Sequence, residues 1–302
     1  MTTDQLVIQQ VFEERNQGHT TRNRLYSELE QKLGMTVVTF FTSFHYAVMI
    51  EDNDADMLEG ILQKCDLSKG FALVLSSPGG SGLAAERIIN LCRSYGGTQG
   101  YTVVVPGKAK SAATMICLGA SKIIMGKTSE LGTIDPQIVI EEDKRVKWFS
   151  VFNIIKSYEE LFKNAVNEKG NLQPYLQQLS NYDAREIAEY KSALSLSEDI
   201  AVKALQTGML AGLSDDEIKG KIKSFLTPEE MKVHGRPIYA KDALNCGLRI
   251  ETRNVNDDLW LRVYELYVRL NSYVSSNNVA KCIECKNYSF RALGKPLVGD
   301  KI

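Results

Sequence analysis

Residues 71 to 97 read FALVLSSPGGSGLAAERIINLCRSYGG, and residues 101 to 138 read YTVVVPGKAKSAATMICLGASKIIMGKTSELGTIDPQI. Phe71 to Leu75 is a short apolar run ending in Ser-Pro-Gly-Gly, the pattern of a buried parallel strand that stops at a turn. Gly79 and Gly80 leave their backbone N–H groups open to close approach by a ligand. Beyond the turn, Leu83, Ile88, Ile89 and Leu91 recur at helical spacing. Tyr101 to Val105 reads as a second strand, closed by Pro106-Gly107. Ser111 then opens a buried helix over Ala112 to Ala120, which puts its hydroxyl at a helix N-terminus. Lys122 to Met125 is a third strand. A strand–helix–strand–helix–strand series implies a parallel sheet with right-handed crossovers and helices on both faces.

Working outward, residues 4 to 33 carry two polar segments with helical periodicity, one through Leu6, Val7, Ile8, Val11 and Phe12 and one through Leu25, Leu29 and Leu33. Thr36 to Thr42 is β-branched and aromatic, hence a first strand, with Ala47 to Ile50 as a candidate partner. A helix over Ala55 to Lys64 takes Asp52 or Asn53 as its N-cap. After the central unit, EEDKRVK at 141 to 147 is a charged turn or hairpin. Phe152 to Val166 and Ala184 to Ala204 are helical. Thr227-Pro228 starts another helix, and Tyr239 to Asn245 forms a short one closed by Gly247. Asp258 to Ser272 carries an apolar stripe (Leu259, Trp260, Val263, Leu266, Tyr267 and Leu270) that packs on its own domain or on a second copy. The expected organisation is an N-terminal helical segment over 1–34, a core over 35–255, and a C-terminal helical extension and tail over 256–302.

The chain has 302 residues, a formal charge of −1 and 44% hydrophobic residues. That is enough for a full core, and it gives no global attraction to nucleic acid or anionic membrane. No run reaches bilayer length, and the first residues lack a basic-then-apolar leader. A soluble cytoplasmic protein is expected, with no nucleic-acid partner, no integral membrane segment and no cofactor. Six scattered cysteines in such a chain are read as thiols. Cys282 and Cys285 form a CxxC, either an ordinary tail pair or half of an intersubunit metal site. Tetrahedral zinc needs four ligands and no second pair lies nearby, so no metal is assigned.

Ser-Pro-Gly-Gly, a serine opening a small-residue helix, and then Leu131-Gly132…Ile134-Asp135-Pro136-Gln137 together resemble the Clp protease and signal peptide peptidase A superfamily. Within it the chain is most similar to the serine dehydrogenase proteinase family, which the later His234-Gly235-Arg236-Pro237-Ile238…Ala243-Leu244…Gly247-Leu248 segment also resembles. The resemblance runs over roughly residues 20 to 255. It implies an α/β fold of the ClpP/crotonase-like type, a parallel β-sheet of repeated ββα units flanked by helices, with helical N- and C-terminal extensions. It also implies a homo-oligomer acting on peptide or protein substrates.

Acyl transfer needs a nucleophile, a base and donors for the oxyanion. The resemblance makes Ser111 the nucleophile and the backbone N–H groups of Gly80 and Ala112 the oxyanion donors, with Gly79 in support. Each such donor is worth about 3 kcal/mol in the barrier. The bland alternative for Ser111 is a helix-cap serine. Ala113 stands where many relatives carry glycine, which would narrow the space beside the serine.

The base is less direct. At the place where Clp proteases carry a histidine this chain has Ile134, beside Asp135. Signal peptide peptidases use a downstream lysine instead, and here that window holds Lys156, with Lys163 just beyond. A lysine base must be neutral, against a reference pKa of about 10.4. Burial against Trp148, Phe149 and Ile155 would favour the neutral form. His234 is either a supporting group or a loop histidine, and Asp135 either an orienting carboxylate or a turn cap. Lys108 and Lys110, beside Ser111, are solvated or hold an anionic substrate end.

The sequence therefore reads as a serine peptidase of Ser-Lys type. A crotonase-like acyl-CoA enzyme shares the core and oxyanion geometry but needs no nucleophilic serine at 111. A catalytically inactive oligomeric scaffold is the third reading, raised by the missing histidine and by Ala113.

Overall fold

A computed structural model describes residues 6–13, 18–142, 145–228, 235–276 and 278–294. The central sheet is built on β1 (Thr36–Thr42), β2 (Phe71–Ser76) and β3 (Tyr101–Val105). The short strand β4 (Lys108–Ala109) leaves this plane, and β5 (Lys122–Gly126) returns to it. Two more strands, β6 (Glu130–Leu131) and the hairpin arm β7 (Gln137–Glu142), precede β8 (Arg145–Ser150). The last three are β9 (Ile250–Arg253), β10 (Val279–Cys285) and β11 (Ser289–Leu293).

The seven-stranded sheet runs β11-β10-β1-β2-β3-β5-β9. From β1 to β9 all neighbours are parallel, while β10 and β11 add an antiparallel hairpin at one edge. A mainly parallel sheet flanked by helices is the architecture expected from the strand–helix alternation.

The continuous apolar run of β2 is explained by its two faces. Phe71, Leu73 and Leu75 enter one core cluster, while Ala72 and Val74 enter the other. Side chains alternate across a strand, so a strand covered on both sides must be apolar at every position. The first cluster is covered by α3 (Asp52–Leu62), α4 (Gly82–Gly96) and α5 (Ala112–Leu118). The second lies under α2 (Asn23–Leu33), which follows the short α1 (Val7–Glu13), and under the helix Asp258–Ser276.

Two readings change, and two that were open are decided. Ile50 does not pair with β1 but bridges Gly80. The cap of α3 is Glu51, in a reciprocal capping box with Asp54. The stripe of Asp258–Ser276 packs on this chain's own sheet, with Leu259, Trp260, Val263, Leu266 and Leu270 buried. The tail beyond it forms the β10–β11 hairpin. The CxxC reading also resolves. Cys282 and Cys285 are an odd number of residues apart on β10 and fall in opposite core clusters, so they cannot ligate one ion. Among the described residues no group of His, Cys, Asp and Glu could hold a metal, and no helix is long and apolar enough to cross a membrane.

A buried ionic group fixes the edge hairpin to the N-terminal segment. Arg22 grips Glu284 through two bonds of 2.6 and 2.8 Å, with both side chains fully buried. Tyr26 and Ser289 hydroxyls donate to the same carboxylate, and the Arg22 guanidinium stacks on Tyr273. Burial alone would raise the Glu284 carboxyl, but the Arg22 bonds outweigh it and hold the group below the usual carboxylate range. A carboxylate depressed in the folded state contributes stability that is fully present above its unfolded pKa, about 4.3. That contribution fades as pH falls through the lower folded value.

We therefore expect Arg22→Leu, which strands a buried carboxylate, to cost about 3–5 kcal/mol in urea unfolding at neutral pH. Between about pH 5 and pH 3 the wild type should lose more stability than Glu284→Gln, which lacks the titrating group. Equal acid sensitivity in the two proteins would show that the pair does not carry this linkage.

Candidate active site

Short strands form a second tier beyond the ends of the central strands. Strand β4 pairs in parallel with β6 through Lys108–Glu130 and Ala109–Leu131. Bridges join Ser77 to Ala109, Ile50 to Gly80, and Leu131 to Ile238. Each long strand thus continues into a short extended piece, and after β2 and β3 a helix follows; this is the ββα repeat.

Ser111 sits where that tier meets α5. It is the N-cap residue, with φ 49° and ψ −119°, and its side chain makes no capping hydrogen bond. Apart from Asn278 it has the only positive φ of any non-glycine among the described residues. A non-glycine residue held there is strained, and such strain persists only where its surroundings over-determine it.

Three neighbouring stretches do so. Lys110 N–H donates to Ser77 O and Ser77 N–H to Lys108 O, both at 3.0 Å. The Thr114 hydroxyl donates to Ala109 O at 2.8 Å and accepts from Gly132 N–H at 3.0 Å. Lys110 Nζ donates to Leu131 O at 3.0 Å and pairs with Glu130 at 2.9 Å. Lys110 is therefore a structural clamp, while Lys108 is exposed.

The glycines are required by proximity. A Cβ on Gly79, at φ +110°, would lie 2.7 Å from both Lys110 O and the Ser111 Cβ. A Cβ on Gly80 would land on the Ile50 main chain. Ile50 N–H donates to Gly79 O and Ser81 N–H to Ile50 O, so the Gly80 peptide N–H faces away from Ile50. Gly79 N–H is held by the Ser77 hydroxyl at 3.1 Å. Among the described residues, neither Gly80 N–H nor Ala112 N–H donates to a main-chain carbonyl. Neither amide is therefore taken up by main chain, and Ser111 is only partly buried. Ala113 is fully buried within the core cluster, and its N–H donates to Lys110 O.

The other site residues are placed as follows. Asp135 is buried and accepts a 2.6 Å bond from the Ser150 hydroxyl. Ser150 in turn caps α6 (Val151–Asn167), and Val151 N–H donates to Pro136 O. A cavity of about 130 Å³ opens beside this junction, lined by Ile134, Asp135, Phe152, Ser197 and Thr227.

Lys156 lies one turn further along α6, 44% exposed, with Nζ 3.8 Å from Glu160. The burial expected for it is not found. Only Val151 and Ile155 of α6 face the core, and Trp148 and Phe149 are themselves exposed. Lys163 is exposed on the same helix, and His234 lies outside the described residues.

A family model of ClpP-like SDH-type serine proteinases matches residues 6–159, half of the chain. The chain belongs to this family. The matched span holds Gly79, Gly80, Ser111, Asp135 and Lys156, and it ends before His234. An uncharacterized protein of Methanocaldococcus jannaschii is 28% identical over 261 residues, covering 82% of this chain and 78% of its own length. A second uncharacterized protein of that organism is 38% identical over 127 residues, 39% of this chain and 42% of its own. In this ClpP-like proteinase the local residues that sequence reading missed are Ser77 and Thr114. Both are small hydroxyls at strand–turn junctions, a position where such side chains bond nearby main chain.

Gly79→Ala should destabilise the protein by more than about 1–3 kcal/mol, because positive φ and steric overlap act together. Gly97, at φ +54° with open space around its Cβ position, separates the two effects. Gly97→Ala should cost the backbone strain alone, about 1–3 kcal/mol. Urea unfolding of the two variants measures the difference, and equal losses would remove the close approach to Ser111 as a constraint.

Proposed function

We propose that this ClpP-like proteinase hydrolyses peptide bonds through an acyl-enzyme on Ser111. The observation that carries the reading is the strained, uncapped Ser111 packed against Gly79, with the N–H groups of Gly80 and Ala112 not taken up by main chain. The Ser111 Oγ attacks the scissile carbonyl carbon, and the developing oxyanion accepts hydrogen bonds from those two amides. The amine leaves with a proton, and water then releases the acyl group by the same path. A crotonase-like reaction would have no use for a serine held in this strained conformation.

The base in this proposal is Lys156, on a helix whose first turn is pinned to Asp135 by Ser150 and to Pro136 by Val151. Its four-carbon stem has to swing from Glu160 to Ser111, or the approach has to be completed by substrate or a second copy. Apolar side chains left exposed on β8, α6 and α7 (Gln173–Leu179), among them Trp148, Phe162, Val166 and Leu176, support a homo-oligomer joined through this layer.

A fluorophosphonate probe should label wild type at Ser111 and leave Ser111→Ala unlabelled with its fold intact. Labelling elsewhere, or none on folded protein, would overturn the nucleophile. Lys156→Ala should lower the labelling rate and peptidase activity by at least about 100-fold. Unchanged rates would exclude Lys156 and move the test to Lys163→Ala and His234→Ala. Sedimentation should show an assembly that Trp148→Glu with Phe162→Glu dissociates; a 33.7 kDa monomer for wild type at micromolar concentration would end the oligomer proposal.

A further inference from the structure

All six cysteines are free thiols. Four are chemically quiet. Cys92 and Cys117 are fully buried, and desolvation pushes their thiols up. Cys282 is pushed up by burial and by the neighbouring Glu284 carboxylate. Cys246 is nearly buried, its Sγ 3.6 Å from the Ser224 hydroxyl.

Cys65 and Cys285 are different. Cys65 follows the C-terminal end of α3, and Cys285 ends β10. Helix α3 rests on the edge hairpin: a Cβ on Gly60 would touch the Phe290 ring at 3.4 Å, and Asp54 forms a buried pair with Lys281 at 2.9 Å. Cys65 packs on the core cluster that contains Cys285, at the same end of the α3–β10 contact, and the two thiols lie close enough to set each other's ionisation. Cys65 is partly exposed, whereas Cys285 is 3% exposed. The His19 ring sits against the Cys285 carbonyl at 2.6 Å.

We propose that Cys65 and Cys285 form an oxidant-responsive dithiol that closes reversibly to a disulfide, stapling the end of α3 to the end of β10. The division of labour follows from the surroundings. The neighbouring Cys65 thiol, helped by the amides of Asn287 and Tyr288 and by His19 against the cost of burial, draws the Cys285 thiol down to about 6. The same contact pushes the Cys65 thiol up, so Cys65 keeps its proton. Cys285 is the attacking thiolate and Cys65 the resolving thiol.

With a hydroperoxide as oxidant, the Cys285 sulfur attacks one peroxide oxygen and the O–O bond breaks. With hydrogen peroxide, this leaves a sulfenic acid on Cys285 and a hydroxide that takes the Cys65 proton to become water. The Cys65 thiolate then forms the S–S bond and displaces hydroxide from the sulfenic sulfur. Two electrons pass from the sulfur pair to the peroxide, and solvent protonates the departing hydroxide.

The inference does not rest on Ser111 chemistry, and its test reads no peptidase activity. The folded full chain at neutral pH is treated with equimolar hydrogen peroxide, alkylated, and digested without reductant. The expected result is one linked Cys65–Cys285 peptide that dithiothreitol separates, with a melting temperature several degrees higher while the link is present. In Cys65→Ser, dimedone should trap the sulfenic acid on Cys285. Recovery of both residues as alkylated thiols, or a link between any other pair of cysteines, would overturn the proposal. Should Cys65→Ser fail to fold, the wild-type peptide map still decides.

Discussion

The site depends on one close approach. Main chain at Gly79 lies against main chain at Lys110 and Ser111, so near that a single methyl group would overlap both. Nothing but glycine fits, and the backbone of Ser111 has to turn to positive φ to pass it. That turn ends β4, starts α5 and leaves the serine hydroxyl outside the helix cap. The strain is held by bonds among three chain segments: Lys110 and Thr114 on either side of Ser111, Ser77 after β2, and Leu131–Gly132 after β5. Because those bonds are all made to main chain or between buried groups, relaxing Ser111 would leave several polar atoms unpaired at once.

This arrangement needs a rigid floor, which the five parallel strands supply. The inner strands β1, β2, β3 and β5 carry apolar side chains on both faces because each face is covered, by α3, α4 and α5 on one side and by α2 with the helix Asp258–Ser276 on the other. The second tier of short strands then grows from ends that cannot shift independently. An error of one residue in β2 would exchange its two faces and place Ser77 and Gly79 on the wrong side of the tier.

The central unit was legible in the sequence because it follows local rules. Apolar runs of strand length end in Pro-Gly or Pro-Gly-Gly, and helical spacing follows each of them. The hairpin at β7–β8 and the short helix before Gly247 were legible for the same reason. What escaped is set by distant partners. Glu51 caps α3 through a reciprocal pair that propensity does not favour. The β10–β11 hairpin was hidden because Lys281 and Glu284 look like surface residues until Asp54 and Arg22 are found to meet them. At the site, the positions of Gly79, Gly80 and Ser111 were readable. The setting of Lys156 was not, since one step of 100° around α6 separates the buried Ile155 from a half-exposed lysine.

The family-matched half of the chain is not the structurally complete half. Residues 6–159 carry Ser111 and both glycines, yet β9 covers one side of the parallel sheet and β10 the other, and both come from beyond residue 250 or later. The helix Asp258–Ser276 shares with α2 the cover of one sheet face, and without it the cluster that holds Val37, Phe41, Val74, Val104 and Ile124 would be opened to water. Arg22, inside the matched span, is itself buried against Glu284, outside it. The C-terminal half therefore acts on the site through the sheet: it fixes β1 and β5, these fix β2 and β3, and the turns leaving β2 and β3 bring Gly79 against Ser111.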